Sequence, residues 1–188
     1  MSDKSILGDL RKQLEEKDAM REDIILKSRP IIKNSKQAIY ALHRNDLKTA
    51  KKHLDFAQKS LESLKIHNSF TVGLYNSALQ EYSEAISYYN YITKNKLVSN
   101  RTLNIDIENY LMGLCDLTGE LARRAVFSVV NNNTDEVLKV KEFIELIYKE
   151  FLQFDLRNSE LRKKSDAIKW NLKKVEEILY DLKIRGKL

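Results

Sequence analysis

An all-α fold, a single-domain bundle of about six long helices, is predicted by three observations on this chain of 188 residues. Apolar residues recur at i, i+3 and i+4 almost throughout, the period of helices with one covered face. Five glycines and one proline supply too little turn chemistry for an all-β chain. Hydrophobic residues make up 43% and charged residues 32%, the balance of amphipathic helices with solvated outer faces. The length suits one domain, residues 1–188, and no internal repeat, low-complexity tract or linker divides it.

The elements follow in order. A first helix is predicted from about Lys4 to His43, its apolar stripe opened by Ile6, Leu7, Leu10 and Leu14. Pro30 should bend or interrupt it, because proline removes a backbone donor and clashes one turn back. Asn45 or Asp46 can cap a second helix through about Lys65, carrying Leu54, Ala57, Leu61 and Leu64. A third runs from about Ser69 to Lys94, and the polar segment Asn95 to Asn104 reads as the loop after it. A fourth runs from near Asp106 to about Val130. Asn131-Asn132-Asn133-Thr134 then breaks the pattern, with Thr134 as cap of a fifth helix through about Phe154. Asn158 or Ser159 caps the last helix, which ends near Arg185 with Gly186 as its stop. Tyr82, Tyr88, Tyr89 and Tyr91 cluster on the third helix as core, interface or base-stacking residues, core or interface being the commoner use.

Composition also excludes classes of function. No run of about 18 apolar residues exists to span a membrane, and the charged start MSDKSILGDLRKQ has no apolar signal core. The single Cys115 forms no intrachain disulfide and suits a reducing, cytoplasmic setting. The net charge of +6 favours a polyanionic partner without identifying one. No phosphate-cradling glycine loop, zinc-spaced cysteine set or nucleophile elbow is present. A di-iron centre would need a Glu-x-x-His pair, and His43, His53 and His67 form none, so each reads as a surface or packing residue.

Two pairs of acids carry the chemistry. Glu81 and Glu84 lie on one face of the third helix, and Asp116 and Glu120 stand one turn apart on the fourth. Like charges at these spacings repel unless a cation relieves them, and hard divalent ions such as Mg²⁺ or Mn²⁺ prefer oxygen ligands. A Glu-x-x-Glu pair is commonly just a solvated helix face. Asp116 and Glu120 are less easily read so, because Leu111, Met112, Leu114, Cys115, Leu117 and Leu121 surround them. Gly113 and Gly119, each costing about 1 kcal/mol relative to alanine in a helix, suggest close packing or a site needing space. Arg123 and Arg124 follow Glu120 closely enough to pair with a carboxylate or hold a phosphate.

Basic residues offer a second clue. The last helix carries Arg162, Lys163, Lys164, Lys169, Lys173 and Lys174, but interleaved acids make intrahelical pairing the simpler reading. Lys48, Lys51, Lys52 and Lys59 of the second helix have fewer opposing acids. Neither set is a base-reading motif, so nucleic-acid binding would rest on phosphate contacts.

The segments Tyr110-Leu111-x-Gly113, Asp116-Leu117-Thr118-Gly119-Glu120-Leu121 and the tail from Lys173 to Gly186 resemble the translin superfamily. Ala41-Leu42-His43-Arg44 and Leu79-Gln80-Glu81-Tyr82-Ser83-Glu84-Ala85 extend a weaker resemblance over nearly the whole chain. In that superfamily one branch, translin, binds single-stranded nucleic acid; the other, translin-associated factor X, supplies Mg²⁺-dependent endoribonuclease activity. The tail is translin-like, whereas the acid-bearing segments are similar to the catalytic branch. The resemblance implies that Glu81, Glu84, Asp116 and Glu120 are catalytic and hold Mg²⁺ or Mn²⁺. Translin's histidine- and arginine-rich binding segment has no counterpart in Ser69 to Tyr75, which weighs against translin-like DNA binding. The basic N-terminal extension of the eukaryotic factor, and its long insert before Arg101, are also missing. The resemblance thus points to a compact archaeal-type homologue, and to a hollow homo-oligomer, usually an octamer, enclosing RNA.

The expected function is a metal-dependent endoribonuclease acting on single-stranded or short duplex RNA, with Arg123, Arg124, Lys51 and Lys52 as nucleic-acid contacts. The alternatives are a single-stranded RNA- or DNA-binding protein without catalysis, and a purely structural helical oligomer.

Overall fold

The computed structural model describes residues 3–64, 73–157 and 159–188. Seven helices and no strand are present among the described residues: α1 (Asp3–His43), α2 (Leu47–Ser63), α3 (Gly73–Lys94), α4 (Asn100–Leu103), α5 (Ile107–Val130), α6 (Thr134–Phe151) and α7 (Glu160–Ile184). Six are the predicted long helices. The seventh, α4, is a single turn inside the segment read as loop, capped by Ser99 and closed by Asn104 in the left-handed conformation. Expectations at Lys65, His67, Ser69 to Val72 and Asn158 fall outside the described residues.

Side-chain caps set the helix starts. The Asp46 carboxylate accepts from the Thr49 N–H at 3.0 Å, leaving Asn45 to take the preceding left-handed turn with φ 57°. Asp106 does the same for α5, accepting from the Asn109 N–H at 3.0 Å, and Ser159 caps α7. At α6 the cap is Asn133 rather than Thr134: its side chain accepts from the Glu136 N–H at 3.2 Å. Asn132 ahead of it takes the left-handed turn with φ 55°, and the cap falls one residue before the expected one. Gly186, with φ 63°, follows the end of α7 as expected.

Pro30 does not interrupt α1, which is continuous over 41 residues. The carbonyl deprived of its donor belongs to Leu26, a solvent-exposed position where water can satisfy it. Beyond the proline, α1 is held by packing along both α2 and α3.

The bundle is built outward from α5, which packs against α3, α6 and α7, while α3 also packs on α1 and α2. Leu42, Leu54, Tyr82, Tyr88, Leu117, Leu121, Ile144 and Val175 are fully buried across these contacts. Tyr82, Tyr88 and Tyr91 are therefore core residues, and Tyr89 is half-buried beside them. The first turns of α1 behave differently from the predicted stripe. Ile6, Leu7, Leu10 and Leu14 are 45–64% exposed, because this end of α1 extends past the elements that cover Ile24 and Ile31.

Candidate functional site

The site exists because α3 and α5 approach unusually closely. At Gly113 of α5 a Cβ would stand 2.6 Å from the Ser83 Cβ and 2.7 Å from the Gln80 carbonyl oxygen of α3. Only glycine leaves room for that contact. It sets Glu84, next to Ser83, against the α5 turns that carry Asp116 and Glu120. Gly119 is different: an added Cβ would meet only the Asn171 amide nitrogen, at an ordinary 3.7 Å. Of the two glycines, packing requires just Gly113.

Glu84 sits at the centre of the four acids and is only 7% exposed. Burial pushes its carboxyl up to about 9, and the charges of Asp116, Glu81 and Glu120 push in the same direction against a smaller opposing effect of Lys164. Asp116 is also raised by burial, partly offset by its hydrogen bond to Lys164. Glu120 is lowered, first by a hydrogen bond from His43 and despite its own burial.

Around Glu84 each other acid has a cationic or imidazole partner. Lys36 of α1 lies 3.1 Å from Glu81, and Lys164 of α7 lies 2.5 Å from Asp116. Glu120 meets the His43 Nε2 and, at 3.8 Å, Arg123. Among the described residues Glu84 is the one acid of the four without an ion pair. Lys36, Glu81, Glu84, Glu120 and Arg123 line a cleft of about 350 Å³ with Ile39 and Tyr40. Asp116 lies beside that cleft toward α7, where Lys164 also donates to Gln80. Among the described residues, no three histidine, cysteine or carboxylate side chains stand close enough for a ready-made metal cage. The outer acids are drawn to their separate partners instead.

The other sequence candidates divide. Arg123 is half-exposed at the cleft mouth, over the Phe127 ring. Arg124 points inward, its guanidinium 2.5 Å from Glu136 and only 17% exposed. Lys51 and Lys52 are exposed on α2, do not line the cleft, and Lys51 pairs with Asp55 at 2.6 Å. Sequence reasoning missed Lys36, His43, Tyr88 and Lys164. Lys36 and His43 are seven positions apart, on one face of α1, but nothing local ties that face to an acid 77 residues away. The Lys164 partnership likewise arises only when α7 docks on α5. His43 is a packing residue, as one of the two expected alternatives had it, with its ring between Tyr88 and Phe127, and in addition it is a buried polar partner of Glu120.

The donor set suits a hard cation. Three carboxylates line the cleft and a fourth lies beside it, all oxygen donors of the kind a hard divalent ion prefers. Glu84, its carboxyl pushed up by burial, has no salt-bridge partner among the described residues.

The profile described as the Translin family matches residues 19–186, nearly the whole chain. The chain belongs to the translin family. It is 33% identical to an uncharacterised protein of Methanocaldococcus jannaschii, over 93% of this chain and 83% of that one. It is 27% identical to translin-associated protein X of Pongo abelii, over 94% and 77% of the two chains. In three dimensions this translin-family chain is similar to AfC3PO in its complex with duplex RNA, with a TM-score of 0.87 and 26% identity over 95% of this chain and 97% of that one.

Proposed function

We propose that this chain is a metal-dependent endoribonuclease that acts as a homo-oligomer on RNA. The observation that carries the reading is the presence of Glu81, the buried Glu84 and Glu120 in one cleft, with Asp116 beside it and the charges of all three other acids pushing the Glu84 carboxyl up. Support for RNA comes from the similar fold of AfC3PO, which has been seen with duplex RNA.

Glu81, Glu84, Asp116 and Glu120 would hold Mg²⁺ or Mn²⁺. A divalent ion there supplies Lewis-acid stabilisation of phosphoryl charge and an activated water at neutral pH. The chain's own groups do the rest. Glu84 would release its carboxyl proton to solvent on becoming a ligand. Lys36 and Arg123, on the rim of the same cleft, orient a phosphate through charge-assisted hydrogen bonds. Lys164 holds Asp116 and, through Gln80, ties α7 to the acid-bearing face of α3. Lys51 and Lys52, outside the cleft lining, extend the phosphate track rather than contact the scissile group.

One observation favours a second reading. With each outer acid already paired, the cleft is electrostatically complete as it stands, which suits a single-stranded RNA- or DNA-binding protein without chemistry. Labelled RNA incubated with the purified protein, with Mg²⁺ and with chelator, separates the two. The nuclease reading expects cleavage that needs Mg²⁺ and is abolished in Asp116→Asn while RNA binding persists. Unchanged cleavage by the variant contradicts the site; retention of RNA without any metal-dependent cleavage favours binding alone.

A further inference from the structure

A line of polar side chains from four helices ends at the candidate site. Glu136, in the first turn of α6, accepts from the Arg124 Nε at 2.5 Å. Arg124 is also close enough to the Tyr88 hydroxyl for its charge to act on that group. That hydroxyl stands 3.2 Å from the His43 Nδ1, and the opposite ring nitrogen, Nε2, meets Glu120. The His43 side chain is 5% exposed, and its ring lies between Tyr88 and Phe127 at centroid distances of 5.2 Å and 5.9 Å.

The order of protons along this line follows from donor chemistry. An ionised carboxylate only accepts, so Nε2 carries the proton toward Glu120. With the Nε2 proton directed at Glu120, Nδ1 is the ring nitrogen that faces the Tyr88 hydroxyl, which can donate to it. A buried histidine whose only need was satisfaction could bond any nearby carbonyl. This one is aimed at the carboxylate that shares a cleft wall with Glu81 and Glu84.

We propose that His43 is a positioning residue: clamped by Tyr88, it holds the Glu120 carboxylate in the orientation needed to complete the metal site. The proposal rests on the metal-site reading above. Outer hydrogen-bond partners of metal-ligating side chains fix ligand orientation, and losing one typically weakens metal affinity on the order of 10–100-fold. Tyr88 acts one step further out, so its hydroxyl has a smaller share.

The test is calorimetric titration of the full-length protein with Mn²⁺, comparing the unaltered chain with His43→Ala, His43→Gln and Tyr88→Phe. RNA affinity in chelator is measured in parallel. His43→Ala should bind Mn²⁺ on the order of 10–100-fold more weakly, with metal-free RNA affinity preserved. His43→Gln, whose amide N–H can reach Glu120, should recover most of the loss, and Tyr88→Phe should fall between. Equal Mn²⁺ affinity across the series overturns the role of His43 alone. So does a glutamine variant as weak as the alanine one. If His43→Ala does not fold, Tyr88→Phe decides, because it keeps the buried ring volume: weakened Mn²⁺ binding supports the proposal and unchanged binding overturns it. An unaltered protein that takes up no Mn²⁺ overturns the metal reading, and this proposal with it.

Discussion

Glu84 is the residue at which burial and like charge act together. Its folded carboxyl keeps a proton up to about 9, whereas the unfolded side chain releases it near its ordinary 4.5. Between those values the folded chain binds the extra proton, so the stability it provides is full below the lower value and is lost as pH rises through the upper one. Glu120 has the opposite dependence: its His43 bond lowers the folded carboxyl, and that contribution is lost on acidification. Without divalent metal, the melting temperature should therefore fall as pH is raised from about 5 to about 9, and Glu84→Gln should flatten the fall and be the more stable protein at the alkaline end. Thermal melts across that range check it; equal slopes for the two proteins would contradict a protonated Glu84. The spacing of the acids was legible in the sequence, as was the apolar setting of Asp116. Their partners were not, because Lys36, His43 and Lys164 come from α1 and α7, and no local pattern couples those helices to Glu81, Glu120 or Asp116.

Among the elements, the contact between α3 and α5 decides the site. The two α5 glycines looked alike in sequence, each an unfavourable helix residue with an unstated reason, and the structure separates them. Gly113→Ala should destabilise the protein: its Cβ would meet the Ser83 Cβ and α3 backbone, neither of which yields, and overpacking of this kind costs about 1–3 kcal/mol or more. That loss outweighs the gain in helix propensity of up to about 1 kcal/mol. Gly119→Ala meets no such obstacle and should stabilise by up to about that amount. Denaturant melts of both variants give the comparison, and a stabilised Gly113→Ala would refute the close-packing account. Helix positions were readable from periodicity because each long helix buries a continuous stripe against a neighbour. The misses have local causes. Pro30 is tolerated where the carbonyl it leaves faces solvent, α4 is too short to show a period, and Asn133 and Thr134 are adjacent cap-forming residues that periodicity does not separate.

At the scale of the molecule, much apolar surface is uncovered in a single copy of the chain. Ile6, Leu7, Leu10 and Leu14 on α1, and Trp170, Tyr180 and Ile184 on α7, are all exposed. Exposed large apolar side chains in this number agree with the proposed homo-oligomer, in which another copy would cover them. No helix among the described residues is long and apolar enough to cross a membrane, so a lipid bilayer spanned by a helix does not account for that surface. Light scattering should give a mass that is a multiple of 22.0 kDa. RNA affinity of the assembly should fall steeply with salt, since the basic side chains offer phosphate contacts and no base-reading motif. A monomeric mass, or RNA binding indifferent to salt, would count against an enclosing basic assembly. The central claim is that the four acids converge on a cation, and crystals of the assembled protein soaked in Mn²⁺ test it most directly. The account predicts an anomalous scattering peak among Glu81, Glu84, Asp116 and Glu120. Crystals with no peak there, and with Lys36 and Lys164 still paired to their acids, would contradict it.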